Sequence, residues 1–167
     1  MPARKIMVIG CPGSGKSRFS RLLAERIGLP LYHLDMIYWK SDRTTVPREE
    51  FKQRLSEILS KDCWLIDGNY GSTMEMRLSE CDTVFFFDYP TELCISGIKE
   101  RFGKPRPDMP WTETEEDPEF IEFISNFNKE SRPKILALFE KYPTKKVVTF
   151  RSREETDQYL KSTKDLS

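Results

Sequence analysis

Short apolar runs alternate along this chain with stretches in which apolar residues recur every three to four positions. The runs fall at residues 6–9, 31–34, 63–66, 84–87 and 146–150. Each is short and bounded by polar or turn-forming residues, as buried strands are. The helical spacing falls at residues 16–27, 48–59, 92–101, 119–139 and 154–161. Strands and helices in alternation predict an α/β fold with a mostly parallel sheet and helices on both faces. Ser152 and Glu155 form a capping-box signature at the start of the last helix. Asp117-Pro118 fits the cap and first position of the longest one, whose expected buried stripe is Phe120, Ile121, Phe123, Ile124 and Phe127. Pro133 is expected to break that helix in two.

Between the first strand and the first helix, Gly10, Cys11, Pro12, Gly13, Ser14, Gly15, Lys16 and Ser17 spell G-C-P-G-S-G-K-S. This fits the phosphate-loop pattern G-x-x-x-x-G-K-[ST], and the strand before and helix after are the context it requires. The glycines let successive backbone N–H groups wrap an anion at the start of a helix. Lys16 brings a mobile charge to the β- and γ-phosphates, and Ser17 offers a hydroxyl to Mg²⁺. The alternative, a glycine-rich turn matching by chance, explains neither flank.

The other candidate residues follow strand ends, where an open α/β sheet places its ligand crevice. Asp67 in W-L-I-D-G-N-Y ends the third apolar run; it is either the carboxylate that orients the metal or a turn residue before Gly68. Asp88, after the fourth run, is its rival. Asp35 ends the second run, as a base for a hydroxyl acceptor or as a solvated strand-end carboxylate. Trp39, with Tyr38, either stacks on an acceptor or closes the core. Asn69 and Tyr70 fall in the acceptor region. Arg77 either forks onto an acceptor's anionic group or makes a surface ion pair. His33, inside an apolar run, is a core or rim histidine rather than a catalytic one.

Residues 101–117, R-F-G-K-P-R-P-D-M-P-W-T-E-T-E-E-D, hold three prolines and little periodicity. A loop of this length is a candidate lid, and its basic start fits a lid over polyphosphate. The acidic run from Glu113 to Asp117 is a solvated stretch or a counter-charge to that lid. No repeat or low-complexity linker interrupts the 167 residues, so a single domain is expected.

Composition narrows the picture. Lysine plus arginine and aspartate plus glutamate balance at 27 each, which argues against direct binding to nucleic acid or an anionic membrane. The apolar runs are too short to span a bilayer, and the first strand follows the N-terminus too closely for a signal peptide. The four cysteines include no C-x-x-C pair, and with a single histidine they suit spare thiols in a reducing cytoplasm rather than a zinc site.

Taken in order, G-C-P-G-S-G-K-S, L-P-L-Y-H-L-D-x-I-Y-W, W-L-I-D-G-N-Y, R-P-D-M and S-R-P-K-I-L resemble the FlaR-like "DNA topology modulation" proteins. These are small P-loop proteins similar to adenylate kinase and shikimate kinase. The resemblance covers nearly the whole chain. It implies a three-layer P-loop NTPase fold with a five-stranded parallel sheet in the order 2-3-1-4-5 and a short lid. It also implies that Arg101 and Arg106 of the lid contact donor phosphates, and that the loop from Arg151 to Arg153 lies near the adenine. The expected activity is Mg²⁺-dependent transfer of the ATP γ-phosphate to a small molecule, with nucleosides and nucleotides among the candidates. The rival expectation is a nucleotide-dependent regulator that affects DNA topology indirectly, without an acceptor. It would need loops that sense the γ-phosphate in place of an acceptor pocket.

Overall fold

The computed structural model describes residues 3–112 and 117–163. Five strands, β1 (Lys5–Gly10), β2 (Leu31–His33), β3 (Trp64–Asp67), β4 (Thr83–Phe87) and β5 (Lys146–Phe150), form one sheet in the order β2-β3-β1-β4-β5. All four pairings are parallel. The three inner strands are buried along almost their whole length, whereas β2 and most of β5 are half-buried. That is why the inner strands read as continuous apolar runs rather than alternating ones.

Helices cover both faces. They are α1 (Lys16–Ile27), α2 (Leu34–Tyr38), α3 (Arg48–Leu59), α4 (Gly71–Glu80), α5 (Thr91–Arg101), α6 (Pro118–Asn126), α7 (Arg132–Lys141) and α8 (Arg153–Ser162). Alternate side chains of β4 show the two layers. Phe85 packs against Phe19 of α1 and Tyr159 of α8, and Phe86 turns the other way to meet Phe139 of α7. No helix among the described residues is long and apolar enough to cross a membrane.

Both expected caps form. The Asp117 carboxylate accepts from the Glu119 N–H at 3.0 Å, and the Ser152 hydroxyl accepts from the Glu155 N–H at 3.2 Å. The expected break at Pro133 takes another form. A π turn over Phe127–Ser131 links α6 directly to α7. The ring leaves one carbonyl without its N–H partner, and the widened turn absorbs the mismatch instead of parting the helix. The expected stripe on α6 is half right: Ile124 and Phe127 are buried, but Phe123 is left 44% exposed. The acidic run at Glu113 to Glu116 lies outside the described residues.

Two helices have no counterpart in the sequence reading. One is α2, a five-residue turn. Asp35 therefore sits in the first turn of a helix rather than at a strand end, because the chain bends into α2 directly after His33. The other is α4, whose buried face is Thr73, Met74, Arg77 and Leu78. Two polar residues in that stripe hide its helical period.

Candidate active site

The phosphate loop joins β1 to α1 at the centre of the sheet. Gly13 (φ +84°) and Gly15 (φ +91°) adopt backbone angles that L side chains rarely take. At Gly13 a Cβ would lie 2.1 Å from the Cys94 carbonyl oxygen of α5, so the loop is packed hard against that helix. The Cys11 thiol is buried against Cys94 behind the loop, where their hydrogen bond and burial push its pKa up. On the other side a Cβ at Gly15 would meet open space. The Ser14 hydroxyl is buried without a protein partner, and the Lys16 ammonium folds back onto the Cys11 carbonyl at 3.2 Å. An open glycine cradle, a hydroxyl without a partner among the described residues and an amine turned onto its own loop fit a polyphosphate. The Ser17 hydroxyl accepts from Arg21 at 2.9 Å.

The second group is built by the turn after β3. Asp67, 6% exposed, accepts a hydrogen bond from His33 Nδ1 at 2.9 Å. This pair is fixed by register, since His33 and Asp67 are directly opposed in the β2–β3 ladder. Tyr70 carries φ +31°, an unusual angle for a residue with a bulky side chain. Its hydroxyl donates to Asp35 Oδ1. Burial pushes the Asp35 carboxyl above its ordinary range, the Tyr70 hydrogen bond pulls it back, and Asp67 and Asp108 push it up again. Burial and the Asp35 charge drive the Tyr70 phenol far upward, so it remains a proton donor to the carboxylate.

Arg77 holds this turn from behind. It is 0% exposed, and its guanidinium donates to the carbonyl oxygens of Gly68 (2.8 Å), Asn69 and Tyr70 (3.1 Å). This corrects both sequence expectations, because Arg77 neither faces an acceptor nor makes a surface ion pair. The reason is that three consecutive carbonyls turned inward by the strained backbone need donors; the Tyr70 carbonyl also takes the Thr73 N–H at 3.0 Å, and the guanidinium serves all three. Burial lowers the pKa of Arg77 while Asp67 opposes that shift. Replacing Arg77 by methionine keeps most of the volume but takes the guanidinium from the Gly68 and Asn69 carbonyls, while Tyr70 keeps the Thr73 N–H. The expected loss is about 2–3 kcal/mol of stability, read as a fall in the midpoint of a urea titration. An unchanged midpoint would mean that the turn holds itself.

Asn69 braces the phosphate loop. Its side-chain amide accepts from Gly10 N–H at 3.0 Å and donates to Gly10 C=O at 2.6 Å, pinning the entrance of the phosphate loop to the β3 turn. Asp88, the rival of Asp67, is committed to Arg132 through two bonds of 2.8 and 3.0 Å.

Two cavities meet at the loop. One, of about 700 Å³, takes in Lys16, Ser17, His33, Asp35, Trp39 and Asp67. The other, of about 620 Å³, takes in Arg18, Phe87, Tyr89, Arg153, Thr156 and Asp157. Gly13, Gly15, Ser17, Arg101 and Arg106 line both. Arg106 also forms a two-point ion pair with Asp108, at 3.1 and 3.2 Å. Trp39 meets Trp111 edge-on at 5.2 Å, joining the segment after α2 to the 101–112 loop. Arg153 is brought to the second cavity. Arg151 is not: its side chain is 70% exposed and lies 3.9 Å from Asp88.

Sequence reasoning kept His33 as a core or rim residue and gave Phe120 and Phe123 to the core, and it passed over the Tyr70–Asp35 bond, Asp108 and the cavity-facing role of the α6 aromatics. Only the last left a signal, since Phe120 and Phe123 lie three residues apart, within one helical turn.

No family model matches the chain. No curated protein matches it either. The fold does match solved structures. A shikimate kinase from Bacteroides thetaiotaomicron is 15% identical over 99% of this chain and 98% of its own, with a TM-score of 0.62. A gluconokinase from Sinorhizobium meliloti 1021 is 13% identical over 96% and 89%, with a TM-score of 0.60. A shikimate kinase from Aquifex aeolicus is 19% identical over 94% and 91%, with a TM-score of 0.57. The fold is therefore that of the P-loop kinases, with the five-stranded parallel sheet in the order 2-3-1-4-5.

Proposed function

We propose that this chain is a cytoplasmic kinase that transfers the γ-phosphate of ATP to a hydroxyl of a small molecule, with Mg²⁺. The observation that carries the proposal is the shared phosphate loop, which is bordered by two cavities that both take in Arg101, at the end of α5, and Arg106, in the loop after it. Two cavities meeting at one phosphate site suit a donor and an acceptor. The shikimate kinases and gluconokinase of like fold bear names that imply hydroxyl acceptors, which supports the same reading. So does the resemblance to the FlaR-like proteins, and the chain is read as a single catalytic unit with residues 101–117 as its lid.

In this reading the donor phosphates lie on the loop and the nucleoside extends into the cavity beside Arg153. Ser17 and Asp67 would hold the metal, directly and through water respectively, and the metal would supply charge neutralisation between the phosphates. Among the described residues no three His, Cys, Asp or Glu side chains converge as a cage. One hydroxyl and one carboxylate suit an ion that keeps most of its waters. Asp35 accepts the proton of the acceptor hydroxyl, whose oxygen attacks the γ-phosphorus as the bond to the ADP oxygen breaks. Tyr70 fixes one carboxylate oxygen and leaves the other for the acceptor. Lys16, Arg101 and Arg106 balance the charge that develops on the transferred group. Closure of the lid excludes water, which would otherwise compete as acceptor.

The test is ATP binding followed by acceptor-dependent ADP release. ATP affinity no better than that of an unrelated protein would remove the reading. Within it, Asp67→Asn should raise the Mg²⁺ concentration for half-maximal rate by about tenfold or more, with ATP affinity changed little. The same Mg²⁺ titration on Asp88→Asn should be unaltered, because Asp88 is tied to Arg132. A larger shift in the Asp88 variant would overturn the metal assignment.

A further inference from the structure

The lining of the larger cavity is of two unlike kinds. One is polar, with Asp35, Asp67 and His33. The other is an apolar wall of Phe120 and Phe123 from α6, Phe127 from the π turn, Met74 from α4, and Ile135 and Leu138 from α7. Phe123 is one of two large apolar side chains left exposed among the described residues, and it lies in this wall. A soluble fold gains nothing from such a ring in water unless something apolar covers it.

The charges in the cavity point the same way. An acceptor carrying a phosphate or carboxylate is ordinarily met by a fixed cationic fork. Arg77, on the helix that borders this cavity, is fully buried and spent on the carbonyls of Gly68, Asn69 and Tyr70. Arg106 is held in two-point contact by Asp108. Lys134 is exposed at the rim on α7. Lys16, Arg101 and Arg106 line the same cavity, but in the kinase reading they serve the transferred phosphoryl group; the charges left on the acceptor's side are the carboxylates of Asp35 and Asp67, which repel an anionic acceptor.

We propose that the acceptor is an uncharged alcohol with a flat aromatic or apolar body, the chemistry of a nucleoside, and not a nucleoside monophosphate or a sugar acid. This rests on the kinase reading above. The hydroxyl enters the polar part towards Asp35, and the body lies against Phe120 and Phe123. The loss of the hydroxyl proton to Asp35 and the transfer of the phosphoryl group are as written above, so the products are ADP and a phosphate monoester of the alcohol.

The experiment offers the wild-type protein, with ATP and Mg²⁺, a panel in two halves. The uncharged half holds the ribo- and deoxyribonucleosides and 2-phenylethanol. The anionic half holds the nucleoside monophosphates, shikimate and gluconate. ADP release and the phosphorus NMR spectrum of the product are read for each, and ATP binding is measured separately by calorimetry. Transfer to an uncharged member is expected, with kcat/KM at least about 10²-fold above any anionic one, since like-charge juxtaposition costs several kcal/mol. Phe123→Ala should raise the KM for that acceptor about tenfold while kcat and the KM for ATP hold, since an exposed ring supplies binding and not chemistry. Phe123→Arg should move selectivity towards the anionic half. ATP binding with transfer to the anionic half alone, or to neither half, overturns the acceptor assignment and leaves the nucleotide site standing. An unchanged KM in Phe123→Ala also overturns it. Failure to bind ATP brings down this assignment together with the kinase reading.

Discussion

Replacing Asp35 by asparagine should lower kcat by roughly 10²- to 10⁴-fold, the range for loss of a general base, and should at the same time make the protein more stable at neutral pH. The two effects have one cause. Burial, with Asp67 and Asp108 nearby, holds the carboxyl above its ordinary pKa. A base nearer neutrality removes a hydroxyl proton more effectively than an ordinary aspartate. The folded state, however, suffers from that burial once the group ionises. The sign follows from linkage. Between the unfolded and the folded pKa the native protein holds the extra proton, so stability falls as pH rises through that window and stays lower above it. Asparagine never ionises and can still accept from Tyr70. Its melting temperature should therefore exceed that of the wild type at pH 7, and the gain should shrink as pH falls through the folded pKa of Asp35. The activity of the wild type should decline over the same interval, as the carboxylate is protonated. Single-turnover transfer and calorimetric melting across pH 4 to 8 read both. Full activity in the variant would take Asp35 out of the mechanism and leave positioning alone to explain turnover.

Lys16→Ala should abolish phosphoryl transfer with the fold intact. Preorganised charge at the transferred group is worth about 3 kcal/mol or more, so the rate should fall by at least 10²- to 10³-fold. Stability should barely change, because the Lys16 ammonium, among the described residues, bonds at 3.2 Å to a carbonyl of its own loop. Asp35→Asn should leave ATP affinity nearly constant, whereas Lys16→Ala should weaken it as well as the rate. Comparing the two variants by ATP calorimetry and single-turnover rate separates donor binding from acceptor activation. Undiminished turnover in Lys16→Ala would sink the phosphate-loop assignment.

What the chain's sequence determined by itself is whatever depends on local spacing. The helices at Lys16–Ile27 and Arg48–Leu59 were read with their observed bounds, because clean apolar periodicity is itself a local property. The buried inner strands were legible for the same reason, and so was the phosphate loop, whose contiguous residues make a site before any long-range contact forms. Tertiary structure decided the rest. The pairing of His33 with Asp67 depends on β2–β3 register, which no local pattern specifies. Arg77 looked like a surface or ligand residue, since a charge inside a helical stripe breaks the period. It is buried because the turn at residues 68–70 exposes three carbonyls to the interior, and their need for donors outweighs the cost of desolvating the guanidinium. Asn69 lines the larger cavity and also binds Gly10, since β3 lies beside β1 and an amide fits both halves of a peptide group. Phe123 was assigned to the core by its spacing, yet which face of α6 is covered by protein and which meets the cavity is set by its packing against α5 and its run into the π turn. Spacing in a sequence specifies that an apolar face exists; only the assembled layers decide whether protein or ligand covers it.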